Sequence, residues 1–295
     1  MIERPDILVL GGGGRQGDAW MTGLLAALED THGFDLHDCE YFIGTSAGSI
    51  VAAKLACGWL LKRPVSGGVG AASGGQSPLP NWAADCAMAI AAPFAQLGLA
   101  LGKSPGELLR GAALGLLPRS ANDTLDFQGA FSEDGARFDG RLRIVAVERR
   151  IGRRVVFGAP GAPHATVAQA LAASCALPLI FPPAVIAGRE YVDGAIWSPT
   201  NADVAPAGRD ARVLILATMA SLHGPWNAPL RAACRATMLV EAAALKARGA
   251  RVHIVTPDRS SAGFIGRDLM SAAGLEHTQT AGYAQGLSLG EASLS

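Results

Sequence analysis

Short runs of aliphatic residues alternate along the chain with longer segments whose apolar positions recur at helical spacing. Residues 7–10 form the first run, which ends at a glycine and predicts a buried strand. A helix is predicted next over residues 18–30, where apolar side chains recur every three or four positions. A second predicted strand at 40–44 leads directly into an alanine-rich helix that ends at Gly58. This order of elements is typical of an α/β protein.

The second half of the chain continues the alternation of strands and helices. Two apolar runs joined by a turn predict a hairpin over residues 141–158. The other predicted elements are a helix at 166–173, a strand end at 190–194, a strand at 212–219, a helix at 229–248, a strand at 251–258 and helical segments at the end. Because most strands are separated by helices, we predict an α/β three-layer sandwich. Its central, mostly parallel sheet is covered by helices on both faces.

The region between about residues 60 and 140 differs in composition from the rest of the chain. Residues 62–81 are rich in glycine, serine and proline, which predicts a flexible loop. The segments 82–101 and 104–117 read as short apolar helical pieces interrupted by glycine or proline. We predict a single domain, 1–295, into which this region is inserted as a cap. The pattern fits either an ordinary helical cap or a mobile lid whose apolar face meets lipid.

Composition and charge narrow the classes of function. Hydrophobic residues make up 49% of the chain and charged residues 17%, the balance of a globular protein with a sizeable core. Lys and Arg together number 25, as do Asp and Glu, which argues against a nucleic-acid partner. Five scattered cysteines without a C-x-x-C pair argue against disulfides and against a zinc site. Because no apolar run is long enough for a signal peptide core or a membrane span, we expect a soluble, cytoplasmic protein.

The segment DILVLGGGGRQGDAW, residues 6–20, places a glycine-rich loop between the first predicted strand and the first predicted helix. Gly12, Gly14 and Gly17 satisfy the spacing G-x-G-x-x-G, which occurs in loops that bind the pyrophosphate of a dinucleotide. A loop of free backbone N–H groups can equally serve another anion. The spacing alone leaves both functions open.

The stretch IGTSAGS carries a second motif, in which Gly44, Ser46 and Gly48 form G-x-S-x-G between a predicted strand and a predicted helix. This is the context of a nucleophile elbow, where small flanking residues permit the strained turn that exposes a serine hydroxyl. The N-terminus of the following helix favours negative charge at the serine. Ser46 is therefore a candidate nucleophile.

A nucleophilic serine needs a base, and histidine is the usual one. None of the six histidines lies in a sequence context that marks it as a member of a catalytic triad. Asp193 offers another base, because it ends a predicted strand and the following Gly194 and Ala195 leave room beside the carboxylate. By itself this D-G pair predicts only a turn. Within hydrogen-bond reach of Ser46, the aspartate could accept the hydroxyl proton directly if its site keeps it ionised and water-poor.

Three motifs follow one another along the chain: the glycine-rich loop, G-x-S-x-G and D-G-A. Together with AASCALPLIFPP before the aspartate and SPTNADVA after it, they make the chain similar to the patatin-like phospholipase family. The resemblance covers nearly the whole chain and is weakest over about 60–140. It implies that Ser46 is the nucleophile and Asp193 the general base of a Ser–Asp dyad. The residues that it assigns to the oxyanion hole are Gly12, Gly13, Gly14, Arg15 and Gly17.

The resemblance also implies a reaction. A carboxylic ester of a phospholipid or another acyl lipid would be hydrolysed through an acyl-enzyme, without a metal or an organic cofactor. The expected partner is a lipid or acyl-ester substrate. The apolar helical pieces beside the flexible loop at about 60–140 suggest transient contact with a membrane surface and a peripheral location. One position departs from the family pattern, since many members carry a basic residue where this chain has Gln16. Arg15 is the adjacent basic residue, and Asp203 is expected to organise the loop after Asp193.

Three other classes of protein stay open on the sequence alone. A dinucleotide-binding oxidoreductase would use Asp35 or Asp38, although both precede the second strand instead of ending it. A Ser–His–Asp esterase of the α/β-hydrolase type would use His223, His253 or His277 as its base. A non-enzymatic scaffold would keep the fold and have no reactive serine.

Overall fold

The structure, a computed structural model, describes residues 3–64, 103–132, 136–225 and 227–291. Most of the predicted loop at 62–81 and the whole predicted helical piece at 82–101 lie outside the described residues. The helical piece predicted at 104–117 is confirmed as Lys103–Leu116. The single domain with an inserted cap stays a prediction.

The described residues contain eight strands and eight α-helices. The strands are β1 (Ile7–Leu10), β2 (Tyr41–Thr45), β3 (Leu142–Glu148), β4 (Arg153–Phe157), β5 (Ala184–Ile186), β6 (Arg189–Asp193), β7 (Arg212–Leu216) and β8 (Arg251–Val255). The helices are α1 (Gly14–His32), α2 (Ala47–Ala56), α3 (Lys103–Leu116), α4 (Gln128–Ser132), α5 (Val167–Cys175), α6 (Ala228–Ala247), α7 (Arg259–Ile265) and α8 (Leu275–Glu291). Short 3-10 turns lie at Leu36–Asp38, Gly194–Ile196, Ala202–Val204 and Thr218–Ala220.

All eight strands form one sheet, with the order β5-β6-β3-β2-β1-β7-β8 and with β4 paired to β3. The pairs among β1, β2, β3, β7 and β8 are parallel. The predicted hairpin is confirmed as the antiparallel pair β3–β4. Strand β6 is also antiparallel to both of its neighbours, β3 and β5. The sheet is therefore mixed but mostly parallel, as the alternation of strands and helices predicted.

Strand β1 shows how the sheet separates two apolar layers. Leu8 and Leu10 pack in one core with side chains of α1, α2 and α5. Ile7 and Val9, which point the other way, pack in a second core with side chains of α6. The three-layer arrangement predicted from the sequence is thus confirmed.

The last helix, α8, packs along α1 in the first of these cores. The indole N–H of Trp20 on α1 donates a hydrogen bond of 2.9 Å to Oε1 of Gln285 on α8. Both side chains are buried. The end of the described chain thereby supports the helix that follows the glycine-rich loop.

Two strands meet end to end on one edge of β3. Strand β4 occupies the opposite edge over residues 144–148. On the first edge, β2 pairs with β3 up to Thr45, which lies opposite Val145. Strand β6 runs in the reverse direction and ends at Asp193, opposite Ala146. Because Val145 and Ala146 are consecutive, the sheet register brings the carboxyl ends of β2 and β6 together.

Some predicted boundaries were wrong by a few residues. Helix α1 begins at Gly14, four residues before the predicted start, so residues 14–17 of the predicted glycine-rich loop belong to the first helical turn. Strand β7 ends at Leu216 because the 3-10 turn Thr218–Ala220 follows. Strand β8 ends at Val255, and Asp258 accepts a backbone hydrogen bond at the start of α7 instead of extending the strand.

None of the helices in the described ranges is both long enough and apolar enough to cross a membrane.

Candidate active site

Ser46 lies at a sharp turn between β2 and α2. Its backbone has φ 53° and ψ −126°, which few residues other than glycine adopt. The two glycines of the motif permit this turn by close approach. A Cβ at Gly48 would lie 2.1 Å from the carbonyl oxygen of Leu10, and one at Gly44 would lie 2.3 Å from Cα of Ser49. The structure thus places Ser46 at a strained strand-to-helix turn, and its role as a nucleophile elbow stays a prediction.

Two further serines hold the backbone of Ser46. The hydroxyl of Ser174 accepts a hydrogen bond from the Ser46 N–H at 2.9 Å and donates one to the carbonyl of Val145 at 2.7 Å. The hydroxyl of Ser49 donates to the Ser46 carbonyl at 2.6 Å, and the Ser49 N–H donates to the same oxygen at 2.8 Å. Sequence reasoning did not select either serine, although Ser174 lies in the AASCALP segment that carries part of the family resemblance.

The structure brings Ser46 and Asp193 into direct contact. The Ser46 hydroxyl donates a hydrogen bond of 2.7 Å to Oδ2 of Asp193. The other carboxylate oxygen accepts a hydrogen bond of 2.8 Å from the N–H of Ala195, so the turn after β6 fixes the orientation of the carboxylate. Asp193 is only 2% exposed, whereas Ser46 is half-buried. A substrate can thus approach the hydroxyl while the carboxylate stays covered.

Burial dominates the electrostatics of Asp193. It raises the pKa of the carboxyl to about 7, although the hydrogen bonds from Ala195 and Ser46 favour the ionised form. A carboxylate with this pKa is a stronger base than an ordinary aspartate, and near neutral pH a large fraction of it is ionised. Its proton affinity therefore suits general-base chemistry.

The glycine-rich segment lies beside Ser46. A Cβ at Gly12 would come within 3.4 Å of Cβ of Ser46. The N–H of Gly12 already donates to the carbonyl of Pro199 at 2.8 Å, and the N–H of Gly17 donates to the carbonyl of Gly13 at 2.9 Å. The backbone N–H groups without an acceptor among the described residues belong to three neighbouring positions of this segment: Gly13, Gly14 and Arg15. They open helix α1, and free N–H groups at a helix N-terminus can bind an anion.

Arg15 and Gln16 have different surroundings. The Gln16 side chain is 1% exposed, and its amide nitrogen donates to the carbonyls of Ser271 and Ala273 at 3.0 and 2.8 Å. Its amide oxygen accepts from the hydroxyl of Thr278 at 2.6 Å. Gln16 therefore joins the start of α1 to the segment around the start of α8. The Arg15 side chain is exposed and makes no hydrogen bond or ion pair with the described residues.

An apolar cluster borders the site on the side of Ala195. Its buried members are Ala195, Met219, Leu230 and Cys234, with Leu177 and Leu269 partly buried against them. A Cβ at Gly12 would lie 3.7 Å from both Cβ of Ala195 and Sδ of Met219. The surface next to Ser46 is thus apolar.

The aspartates and histidines of the alternative functions lie apart from this arrangement. All six histidines are within the described ranges, and none is hydrogen-bonded to Ser46 or Asp193 there. Asp35 and Asp38 precede β2 and therefore lie at the end of the sheet opposite the glycine-rich segment, because β1 and β2 are parallel. A dinucleotide bound at the glycines would need its acidic partner at the other end of β2.

Two further groups of polar residues lie outside the Ser46–Asp193 pair. Among the described residues, Glu29, Asp35 and His37 bring possible metal-ligating atoms within 4.8 Å of one another. Both ring nitrogens of His37 already have partners there, the carboxylate of Asp35 at 2.5 Å and the carbonyl of Trp59 at 3.0 Å. This group contains none of the residues predicted for the Ser–Asp site. Asp203 accepts hydrogen bonds from the guanidinium of Arg154, and no hydrogen bond among the described residues joins it to Ser46 or Asp193.

Comparison with known proteins identifies the family. No curated protein matches the chain. The crystal structure of VipD from Legionella pneumophila is similar over 98% of this chain and 67% of its own, with 16% sequence identity and a TM-score of 0.46. A sequence model of the patatin-like phospholipase family matches residues 8–72 and 82–206, which include all three motifs. The chain therefore belongs to the patatin-like phospholipase family and is an ester-hydrolysing enzyme that acts on acyl lipids.

Proposed function

We propose that the protein is a serine lipid acyl hydrolase that uses Ser46 as nucleophile and Asp193 as general base. The observation that carries this proposal is the 2.7 Å hydrogen bond from the Ser46 hydroxyl to the buried Asp193 carboxylate. The strained turn at Ser46 supports it, because this conformation presents the hydroxyl at the end of the strand. No histidine takes part.

The proposed reaction has two steps. In the first, Asp193 accepts the hydroxyl proton as Oγ of Ser46 forms a bond to the ester carbonyl carbon. The tetrahedral intermediate then collapses, the carbon–oxygen bond to the alcohol breaks, and the proton on Asp193 passes to the leaving alcohol. In the second step Asp193 accepts a proton from water, which attacks the acyl-enzyme. The fatty acid leaves, and the proton returns to Oγ of Ser46.

We place the oxyanion at the N-terminus of α1. The free N–H groups of Gly13, Gly14 and Arg15 are the proposed donors, and the dipole of a 19-residue helix adds to their effect. Gly12 contributes space next to Ser46 instead of a donor, since its N–H is engaged. Gly17 contributes the first helical hydrogen bond, which fixes the turn that presents the donors.

The proposed substrate is a phospholipid or another acyl lipid. The partly buried Leu177 and Leu269, with Met219 beside them, offer an apolar surface for the acyl chain. Helix α3 exposes Leu108 and Leu116, at 70% and 87%, which suits transient contact with a membrane surface. The cytoplasmic location with peripheral membrane contact remains part of this proposal.

The proposed function is tested by hydrolysis of p-nitrophenyl esters of increasing chain length and of phosphatidylcholine vesicles. Ser46→Ala and Asp193→Asn should both reduce turnover to the background rate. Ser288→Ala, which removes an exposed hydroxyl on α8, should keep wild-type activity. Full activity of Ser46→Ala would contradict the proposal.

Membrane contact is tested separately by co-sedimentation with phosphatidylcholine and phosphatidylglycerol vesicles. We expect the wild type to bind and the double variant Leu108→Gln, Leu116→Gln to bind more weakly. Hydrolysis of a water-soluble short-chain ester should be equal in both proteins. Absence of vesicle binding by the wild type would contradict the contact and would leave a soluble ester as the substrate.

A further inference from the structure

The buried side chain of Asn201 links two elements of the site. Asn201 is fully buried, and its amide nitrogen lies within hydrogen-bond distance of three acceptors. These are the carbonyl of Ser198 at 2.6 Å, the hydroxyl of Thr45 at 3.1 Å and the carbonyl of Gly194 at 3.2 Å. One amide group therefore contacts both the end of β2 and the turn after β6.

Two of these acceptors, on Thr45 and Gly194, belong to residues adjacent to the Ser46–Asp193 pair in the chain. Thr45 directly precedes Ser46, and Gly194 directly follows Asp193. Strands β2 and β6 meet on one edge of β3 but do not pair with each other. Asn201 thus supplies a direct connection between the residues that flank the hydrogen-bonded pair.

The amide of Asn201 is itself held in place. Its oxygen accepts a hydrogen bond of 3.2 Å from the guanidinium of Arg154, which directs the amide nitrogen toward the two strand ends. The backbone of Asn201 has φ 49°, a left-handed conformation that asparagine tolerates better than most residues. The residues before and after Asn201 are held by Glu241. Its carboxyl accepts hydrogen bonds from the hydroxyl of Thr200 at 2.6 Å and from the N–H of Ala202 at 2.8 Å.

We propose that Asn201 is a positioning residue that holds Ser46 and Asp193 at hydrogen-bonding distance. The inference rests on the proposed function, because it assigns Asn201 a role in the same proton transfer. Loss of the amide would free the two strand ends to separate. A displacement of about 1 Å between reacting groups typically costs on the order of a hundredfold in rate.

Two substitutions test this role. Asn201→Gly keeps the left-handed backbone available and removes the amide. Asn201→Asp keeps the size of the side chain and a partner for Arg154, but it replaces the donor by an acceptor. We expect kcat for p-nitrophenyl butyrate to fall on the order of a hundredfold in both variants, with KM changed by less than about threefold. The rate of labelling by a fluorophosphonate should fall by the same factor as kcat.

A matched control separates positioning from general stability. Gln285→Ala removes another buried amide, whose oxygen accepts from the indole of Trp20 and the hydroxyl of Ser261 and whose nitrogen donates to the carbonyl of Thr256. We expect this control to lower the thermal unfolding midpoint as much as Asn201→Gly does, with kcat within about twofold of wild type.

The outcomes distinguish failure of the positioning role from failure of the proposed function. Wild-type kcat in a folded Asn201 variant, together with an inactive Ser46→Ala, would overturn the positioning role alone. A loss of kcat in Gln285→Ala as large as that in Asn201→Gly would overturn it as well, because stability would then explain both. Full activity of Ser46→Ala would overturn the proposed function and the positioning role together.

Discussion

The Ser46 hydroxyl and the Asp193 carboxylate are hydrogen-bonded at 2.7 Å although 147 positions separate them in the chain. The sheet register explains their contact, since β2 and β6 end at consecutive positions on the same edge of β3. Each residue then leaves the sheet through its own turn. The arrangement leaves Ser46 half-buried and buries the carboxylate, and the predictions below follow from this difference.

The first prediction concerns the two serines that hold the Ser46 backbone. Ser174→Ala leaves the Ser46 N–H and the Val145 carbonyl without their partner, which should lower the free energy of unfolding by about 1–3 kcal/mol. The displaced turn should also lower kcat on the order of tenfold. In Ser49→Ala the Ser46 carbonyl keeps the backbone N–H of residue 49, so both effects should be smaller. Urea unfolding and ester kinetics measure them, and equal effects in the two variants would contradict the account.

A second prediction concerns Gly12. Its φ is not positive, and an added Cβ would meet Ser46 at 3.4 Å, so Gly12→Ala should fold normally. The methyl group would occupy space that the ester carbonyl needs, and kcat/KM should fall on the order of a hundredfold. Gly263→Ala on α7, where nothing lies within 4 Å of the new Cβ, should keep wild-type kinetics. Wild-type kcat/KM in Gly12→Ala would contradict this prediction, because the ester carbonyl of the substrate would then have to bind away from Gly12.

The pH dependence of hydrolysis gives a third prediction. Asp193 must be ionised to accept a proton, and burial raises its pKa to about 7. The value of kcat/KM for an uncharged ester should therefore fall as the pH decreases through about 7 and reach a plateau above it. Burial and the neighbouring Asp203 also raise the pKa of Glu241 to about 7. In Glu241→Gln the decrease of kcat/KM below pH 7 should remain, because Asp193 is unchanged. If that decrease disappeared, Glu241 and not Asp193 would be the group that must be ionised.

The same pKa gives a fourth prediction, for stability. Because the pKa of Asp193 is higher in the folded protein than its ordinary value of 3.8, the folded state binds an extra proton between these two pH values. Above pH 7 the buried charge of Asp193 therefore lowers the free energy of unfolding by its full amount. This loss shrinks as the pH falls from about 7 and is gone below 3.8, where the carboxyl is protonated in both states. Asp193→Asn should be more stable than wild type at pH 8 by on the order of 1 kcal/mol or more. Chemical unfolding at several pH values measures the difference, and an advantage that grows toward acid pH would contradict the assignment.

Local sequence patterns predicted much of the fold. The aliphatic run of β1 and the hairpin β3–β4 follow from short-range periodicity, which the chain carries within each segment. The turn at Ser46 was predictable because glycines at 44 and 48 fit a strand-to-helix elbow. The start of α1 was predicted too late, because glycine has a low helix propensity and the packing of the segment overrides it.

Long-range contacts of the site could not be predicted from the residues alone. The pairing of β6 beside β2 joins parts of the chain far apart in sequence, and no local pattern specifies such a register. For the same reason Gln16 and Asn201 read as ordinary polar positions. Their side chains are buried only because distant segments supply hydrogen-bond partners. The order of the motifs indicated which residues belong together, and the sheet explains how they meet.

The central claim is that Asp193, without a histidine, activates Ser46. It is tested most directly by the rate at which a fluorophosphonate labels the protein, with the labelled residue mapped by mass spectrometry. We predict a single adduct on Ser46, wild-type labelling when His223, His253 or His277 is replaced by alanine, and labelling slowed on the order of a hundredfold or more in Asp193→Asn. Fast labelling of Asp193→Asn, or loss of labelling in one of the histidine variants, would contradict the claim.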